Sequence, residues 1–313
     1  MMALLRGALA RLSAAALLLG LAVAPGLQQQ GTSPFPATDV LYPSVPWPLP
    51  RSIEHQGNST VVLAATLALS CGSAADGCDP AACAADGALD RALHRYAALL
   101  SPLQAPPPTA SEIVLAQIAV CVTDAAVALG PGVNETHSLS VPAALGQPIH
   151  IAAASQFGAM QALESLSQLV SLARPGRIAH APVEIADRPR WGVRGLMVNP
   201  AGRFMSVAFL KRVVDGLAMQ KMNYLHIHFT DVSSFSVASD KYPQLAAKGR
   251  ISRLLWRSND SSAVYTKPEL RSLVAYAAER GVRIVPEFDM PGHGVLCLHT
   301  PACLPLSVCT VRP

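Results

Sequence analysis

His226 and His228 stand two positions apart in the run Tyr224–Phe229, a spacing that puts both imidazoles on one face of a β-strand. Asp231 follows three residues later. Glu287, Asp289 and His293 crowd the phrase Pro286-Glu287-Phe288-Asp289-Met290-Pro291-Gly292-His293, and Asn199 and Arg203 close an earlier apolar run. Such groups support two chemistries. They can set the proton affinity of a general acid, or they can hold a divalent metal, for which paired imidazoles with Asp are ordinary ligands. The metal reading is the weaker one, because its remaining ligands would come from strands this sequence does not supply. No metal and no cofactor are expected. A single His or Asp at a strand end is often a cap; three consecutive strand ends carrying such groups are more informative.

These residues need a frame to position them. Val193–Asn199 reads as a short apolar strand, Val207–Gln220 as a helix with Phe209, Val213 and Leu217 inward, and Tyr224–Phe229 as a second strand. A polar loop runs to Tyr265. Pro268 then opens a helix that stops at Gly281, and Val282–Phe288 is a third strand. Strands alternating with helices imply a parallel sheet whose reactive groups gather at the strand ends. Upstream lies an α+β unit. Thr60–Leu69, Glu112–Val122 and His150–Ala154 read as strands, and Leu89, Leu93, Tyr96 and Leu100 share one helical face. Ser155 caps a helix ending near Leu172, and Arg174-Pro175-Gly176 marks a boundary.

The chain has 313 residues, of which 51% are hydrophobic and 14% charged, so a sizeable core is affordable and charge-driven disorder is excluded. A net charge of +4, with no basic cluster interleaved with aromatics, excludes a nucleic-acid footprint. Arg6 and Arg11, the apolar run Leu12–Ala24 and the exit Ala22-Val23-Ala24 read as a secretory signal over residues 1–26. No other stretch could span a bilayer, so no membrane span is expected once that signal is removed. Seven cysteines fit an oxidising compartment, and the first four (Cys71, Cys78, Cys83, Cys121) leave three pairings open. Sequons at Asn58, Asn134 and Asn259 are candidate glycosylation sites.

From Asp187 onward the motifs Arg194-Gly195-Leu196-Met197, Lys221-Met222-Asn223-Tyr224-Leu225-His226-Ile227-His228, Asp231 with Ser234-Phe235, Tyr242-Pro243, and Pro286–His293 resemble the eukaryotic β-N-acetylhexosaminidases, family 20 of the glycoside hydrolases. Phe157-Gly158-Ala159 and Leu163–Leu169 resemble that family's N-terminal domain. The resemblance implies an α/β fold: an N-terminal α+β domain over 35–174, then the first part of a (β/α)8 barrel over 187–313, with about three of the eight strands. It implies hydrolysis of terminal N-acetyl-hexosamine residues of a glycan or glycoconjugate. The substrate's own acetamido oxygen acts as nucleophile, an exception to the two-carboxylate rule. A secretory destination, extracellular or lysosomal to vacuolar, follows, with a homodimer open to the complete protein.

The same resemblance assigns roles. Asp231 and His293 match the Asp and His that stand behind the general acid, while Arg203 and Asp289 are the expected substrate-binding residues. The family's sugar-gripping arginine falls at Gly202, one position before Arg203, and Asn199 stands where an Asp is usual. Val232 replaces a second acidic residue. The acid and its acetamido-orienting partner form an adjacent Asp-Glu pair in the family, and this sequence contains no Asp-Glu dipeptide. The expectation is therefore a hexosaminidase lineage in a chain truncated after the third barrel strand, without the catalytic pair. A non-catalytic binding remnant is the alternative, and a metal-dependent barrel hydrolase a more distant one. The tail 295–313, with three cysteines, matches nothing in the family. Cys83 directly precedes the Leu89–Leu100 helix and Cys121 ends a strand expected beside it; the resemblance favours the same link, so a Cys83–Cys121 disulfide is expected.

Overall fold

The computed structural model describes residues 45–100, 108–109, 112–170, 176–231, 234–249, 263–289 and 293. The expected signal, Asn259 and the cysteine-bearing tail lie outside them.

Five strands close on themselves in the order β1-β2-β4-β3-β5. They are β1 (Ser52–Cys71), β2 (Ile113–Asp124), β3 (His137–Val141), β4 (Ile149–Ser155) and β5 (Arg177–Asp187). Period-two alternation drives this closure: Ile149, Ile151 and Ala153 of β4 and Val183 and Ile185 of β5 point inward and are buried. Helix α1 (Ala88–Leu100) buries Leu89, Leu93, Tyr96 and Leu100, the stripe its sequence presents. Helix α2 (Gln156–Leu169) starts where Ser155 Oγ accepts from the Gly158 amide at 3.4 Å, and it is buried on almost every side. Gly158 is required there. A Cβ at that position would lie 2.9 Å from the Thr136 carbonyl oxygen. Leu163, Leu166 and Leu169 are fully enclosed, each contributing about 1.5–3 kcal/mol of hydrophobic stabilisation.

The first sheet extends further than its sequence boundary. Beyond Arg174-Pro175-Gly176 the chain returns as β5, which pairs antiparallel with both β1 and β3 and closes the barrel. The buried alternation Ala181, Val183, Ile185 carries that signal.

A second, parallel sheet has the order β10-β7-β6, built from β6 (Gly195–Val198), β7 (Tyr224–His228) and β10 (Arg283–Glu287). Between β7 and β10 lie a short hairpin, β8 (Thr230–Asp231) with β9 (Ser234–Phe235), and helix α4 (Pro243–Gly249). Helix α3 (Val207–Met219), capped by Ser206, buries Leu210, Val214 and Leu217. Phe209, expected inward, is 40% exposed. The buried stripe runs one residue later than expected and still meets Leu217, so two overlapping stripes of the same helix compete and the Leu210 one wins. Helix α5 (Lys267–Ala278) opens on a Thr266/Glu269 capping box with Pro268 in its first turn. The turn at Gly281 (φ 69°) follows it.

The expected Cys83–Cys121 link is corrected. The disulfides are Cys71–Cys83 and Cys78–Cys121. The segment after β1 is laid along β2 by two backbone bonds, Gly72 N to Val120 O at 2.8 Å and Asp79 N to Val122 O at 2.6 Å. That alignment carries Cys78 over Cys121. The following turn, Pro80–Cys83, with Asp79 as its cap, then folds Cys83 back onto Cys71.

The two sheets are locked together by buried charge. Lys221, 5% exposed, donates to Ser165 Oγ at 2.8 Å and to Asp187 Oδ2 at 3.2 Å. Arg194 Nη2 meets Glu135 Oε2 at 2.8 Å, and Asn223 Oδ1 accepts from the Arg194 amide at 2.9 Å. Desolvation lowers the Lys221 ammonium and raises the Glu135 carboxyl against the pull of their partners. The phrase Lys221-Met222-Asn223 is thus a structural clamp just ahead of the histidine strand.

Candidate active site

The parallel sheet brings its chemistry to the ends of β7 and β10. Register pairs Glu287 with His228, so both histidines of β7 reach one carboxylate oxygen. Glu287 Oε2 lies 2.7 Å from His226 Nε2 and 2.9 Å from His228 Nδ1. The hydrogen bond from His228, with a smaller one from His226, holds the Glu287 carboxyl below its ordinary range.

From His228 the line continues outward. Its Nε2 lies 3.8 Å from Asp231 Oδ2; Asp231 Oδ1 lies 3.5 Å from His293 Nδ1; and that nitrogen lies 2.8 Å from Asp289 Oδ2. Carboxylate and imidazole alternate from Glu287 through His228, Asp231 and His293 to Asp289. The two end links are hydrogen-bond length, and the middle two are ion-pair separations. Exposure varies along the line without a gradient: Glu287 37%, His228 11%, Asp231 28%, His293 57% and Asp289 28%.

Backbone and side-chain contacts fix the ends. The Asp289 amide donates to Thr230 Oγ1 at 2.8 Å, tying the β10 exit to the hairpin that carries Asp231. Asn199 Nδ2 approaches Asp231 Oδ2 at 3.4 Å, and Asn199 Oδ1 accepts from the Gly202 amide at 2.9 Å. An Asn at this position donates to Asp231, where an Asp would repel it. Arg203 is exposed at the end of that turn.

Three of the expected residues, Asp231, Asp289 and His293, thus come together. Glu287 stands among the polar strand-end groups in the sequence, but its tie to both histidines is set by the β7–β10 register, which pairs it with His228. The metal-capable set also differs from the expected His226/His228 pair. Among the described residues, His228, Asp289 and His293 offer ligand atoms within 4.8 Å of one another, while His226 is engaged by Glu287. Of the sequons, Asn58 and Asn134 are exposed. The Asn134 Oδ1 accepts from the Thr136 amide at 3.1 Å.

Two family models match in succession: a beta-acetyl hexosaminidase-like domain over residues 46–169, and the glycosyl hydrolase family 20 catalytic domain over 191–304. The chain belongs to glycosyl hydrolase family 20. Beta-hexosaminidase A of Caenorhabditis elegans is 31% identical over 250 residues, covering 79% of this chain and 41% of the relative. The beta-hexosaminidase subunit beta of Mus musculus is 37% identical over 161 residues, covering 51% and 28%. Among solved structures, the chitobiase of Flavobacterium johnsoniae superposes with a TM-score of 0.64 at 27% identity, over 84% of this chain and 36% of that one. The beta-N-acetylhexosaminidase of Bacteroides fragilis gives 0.62 at 25%, over 84% and 48%. The chain spans 28% to 41% of these two curated family 20 relatives. Among its described residues no helix is long and apolar enough to cross a membrane.

Proposed function

We propose that this chain carries the proton-tuning half of a β-N-acetylhexosaminidase active site, acting on terminal N-acetyl-hexosamine residues of glycoconjugates. The observation that carries the reading is the placement of Asp231 between His228 and His293 at the ends of parallel strands. In the reaction, the substrate's acetamido oxygen bonds to the anomeric carbon as the bond to the leaving oxygen breaks, and a general acid protonates that oxygen. The role of His293 and Asp231 is to stand behind that acid and set its proton affinity. Arg203 and Asp289 face the sugar. The sheet β6, β7, β10 is read as the opening of a (β/α)8 barrel within a catalytic domain over 187–313. The closed five-stranded unit is its N-terminal companion over 35–174, extended by β5. A signal over 1–26, a secretory destination, carbohydrate at Asn58, Asn134 and Asn259, and homodimerisation complete the proposal.

The Asp-Glu pair that would supply the acid and orient the acetamide is absent from these 313 residues. The test is therefore a chimera in which residues 191–293 replace the matching segment of the Caenorhabditis elegans relative. It should hydrolyse 4-nitrophenyl N-acetylglucosaminide and leave 4-nitrophenyl glucoside, which has no acetamido nucleophile, untouched. A folded chimera inactive on the first compound, or equally active on both, contradicts the reading.

A further inference from the structure

One carboxylate oxygen of Asp289 and one ring nitrogen each of His228 and His293 lie within 4.8 Å of one another. The three come from two neighbouring strand ends: His228 closes β7, and Asp289 and His293 follow the end of β10. Ligand atoms held tetrahedrally on one zinc ion at about 2.0–2.2 Å sit roughly 3.4 Å apart, so side-chain movements of about an ångström bring these donors onto a common ion. Three His and Asp ligands with a fourth position left open is a familiar zinc arrangement. Imidazoles in the set favour zinc over magnesium or calcium, which take oxygen ligands. The His293 side chain, 57% exposed, gives an ion its way in.

Two further observations point to a cation. Histidines that bind a metal almost always give their other ring N–H to a carboxylate or carbonyl, which aims the ring. His228 has that partner. Glu287 Oε2 lies 2.9 Å from its Nδ1, and its Nε2 is the nitrogen left for an ion, on the side of Asp231 Oδ2 at 3.8 Å. Glu287 is itself steadied by His226 Nε2 at 2.7 Å. The second observation is charge. Among the described residues Asp289 and Glu287 have only imidazoles as ion-pair partners, and no Lys or Arg pairs with either. Imidazole carries no permanent charge. A divalent ion would supply the counter-charge that these carboxylates lack.

We propose that His228, Asp289 and His293 form a zinc-binding site, with Glu287 as the outer partner that orients His228. The site is not the imidazole pair of β7, because His226 is taken up by Glu287. A bound ion takes the place of the hydrogen bond between His293 Nδ1 and Asp289 Oδ2, so these groups serve as relay or as metal site, never both at once. The proposal rests on ligand geometry and charge, and its test reads no turnover. It therefore stands or falls apart from the hexosaminidase reading.

The experiment titrates zinc chloride into the 313-residue chain by isothermal calorimetry. The chain carries Cys297→Ser, Cys303→Ser and Cys309→Ser, so that thiolates of the tail cannot capture the ion. One zinc per chain should bind. Glu287→Gln should weaken binding about 10- to 100-fold, the effect of losing an orienting partner, and His293→Gln, which removes a ligand, by more than about 100-fold. Cobalt(II) used in place of zinc should give the visible absorption of a four- or five-coordinate site of nitrogen and oxygen ligands, and zinc should bleach it. No saturable binding overturns the proposal, and so does affinity unchanged in His293→Gln. Affinity lost in His226→Gln but kept in His293→Gln would move the ion to the imidazole pair of β7 and also overturn it. If Glu287→Gln fails to fold, His293→Gln and Asp289→Asn, both outside the buried core, still decide.

Discussion

His228 Nδ1 lies 2.9 Å from Glu287 Oε2, across the register that sets the two residues side by side on β7 and β10. The same ring turns its Nε2 toward Asp231 Oδ2, 3.8 Å away. The ring sits between two carboxylates, and the relay toward His293 starts from it.

Glu287 gives this arrangement a pH signature. Its carboxyl is held below the ordinary 4.5, first by the His228 hydrogen bond. A carboxylate depressed in the folded state contributes stability that is complete above the unfolded value and lost as pH falls through the folded one. Glu287→Gln should therefore be less stable than the native chain near neutrality and should lose less on acidification below about pH 4.5. Urea unfolding at the two pH values checks it. Parallel losses in both proteins would contradict it.

His137 adds a second acid-sensitive element, of opposite chemistry. Its side chain is fully buried, and burial lowers its proton affinity below the ordinary 6.5. A histidine depressed in the folded state leaves the unfolded chain binding the proton first, so stability is full above about pH 6.5 and declines below it. His137→Gln should flatten the stability profile between about pH 7 and about pH 5. A slope unchanged by the substitution would contradict the burial argument.

The disulfides make a mapping prediction. Peptides cross-linked through Cys78–Cys121 and Cys71–Cys83 should be recovered without reductant, and none through Cys83–Cys121. Their sequence separations are 43 and 12 residues. The chain-entropy model gives losses of about 4 kcal/mol for removing the first and about 3 kcal/mol for the second. Denaturant unfolding of Cys78→Ser/Cys121→Ser and Cys71→Ser/Cys83→Ser measures both.

Lys221→Met should be among the most damaging single changes. It leaves Asp187, whose side chain is 10% exposed, without its cation, a situation that costs roughly 3–5 kcal/mol. Limited proteolysis should then open the connection between Asp187 and Arg194 and release the closed five-stranded unit. Protection equal to that of the native chain would contradict the clamp.

Much of this was legible in the sequence, and what was not has physical reasons. The stripe Leu89, Leu93, Tyr96, Leu100 and the cap at Ser155 are local signals, and both elements form there. β3 is hard to read because His137–Val141 has only Leu139 and Val141 as apolar residues, and β5 because it follows a Pro-Gly turn that resembles a domain end. The cysteine pairing depended on how a loop lies along β2, which spacing does not encode. At the site, strand-end position singled out Asp231, Asp289 and His293, which the structure brings within ion-pair distance of one another through His293. The tie between Glu287 and both histidines needed the parallel register of two strands separated by more than 50 residues, and no local pattern reports that.

A polypeptide of these 313 residues, holding Asp231 and His293 but no Asp-Glu pair, should leave 4-nitrophenyl N-acetylglucosaminide unhydrolysed. General-acid assistance alone is worth about 10² to 10⁴ in rate. The same assay on Glu287→Gln guards against a displaced acid: turnover in the native chain that vanishes in this variant would make Glu287 the acid.

The most direct test of the relay is the pH–rate profile of the active chimera with and without Asp231→Asn. The account predicts a kcat lower by about 10² or more and a displaced acidic or basic limb, because the group behind the acid no longer sets its proton affinity. An unchanged kcat with both limbs in place would show that Asp231 and His293 do not tune an acid, and the central claim would fall.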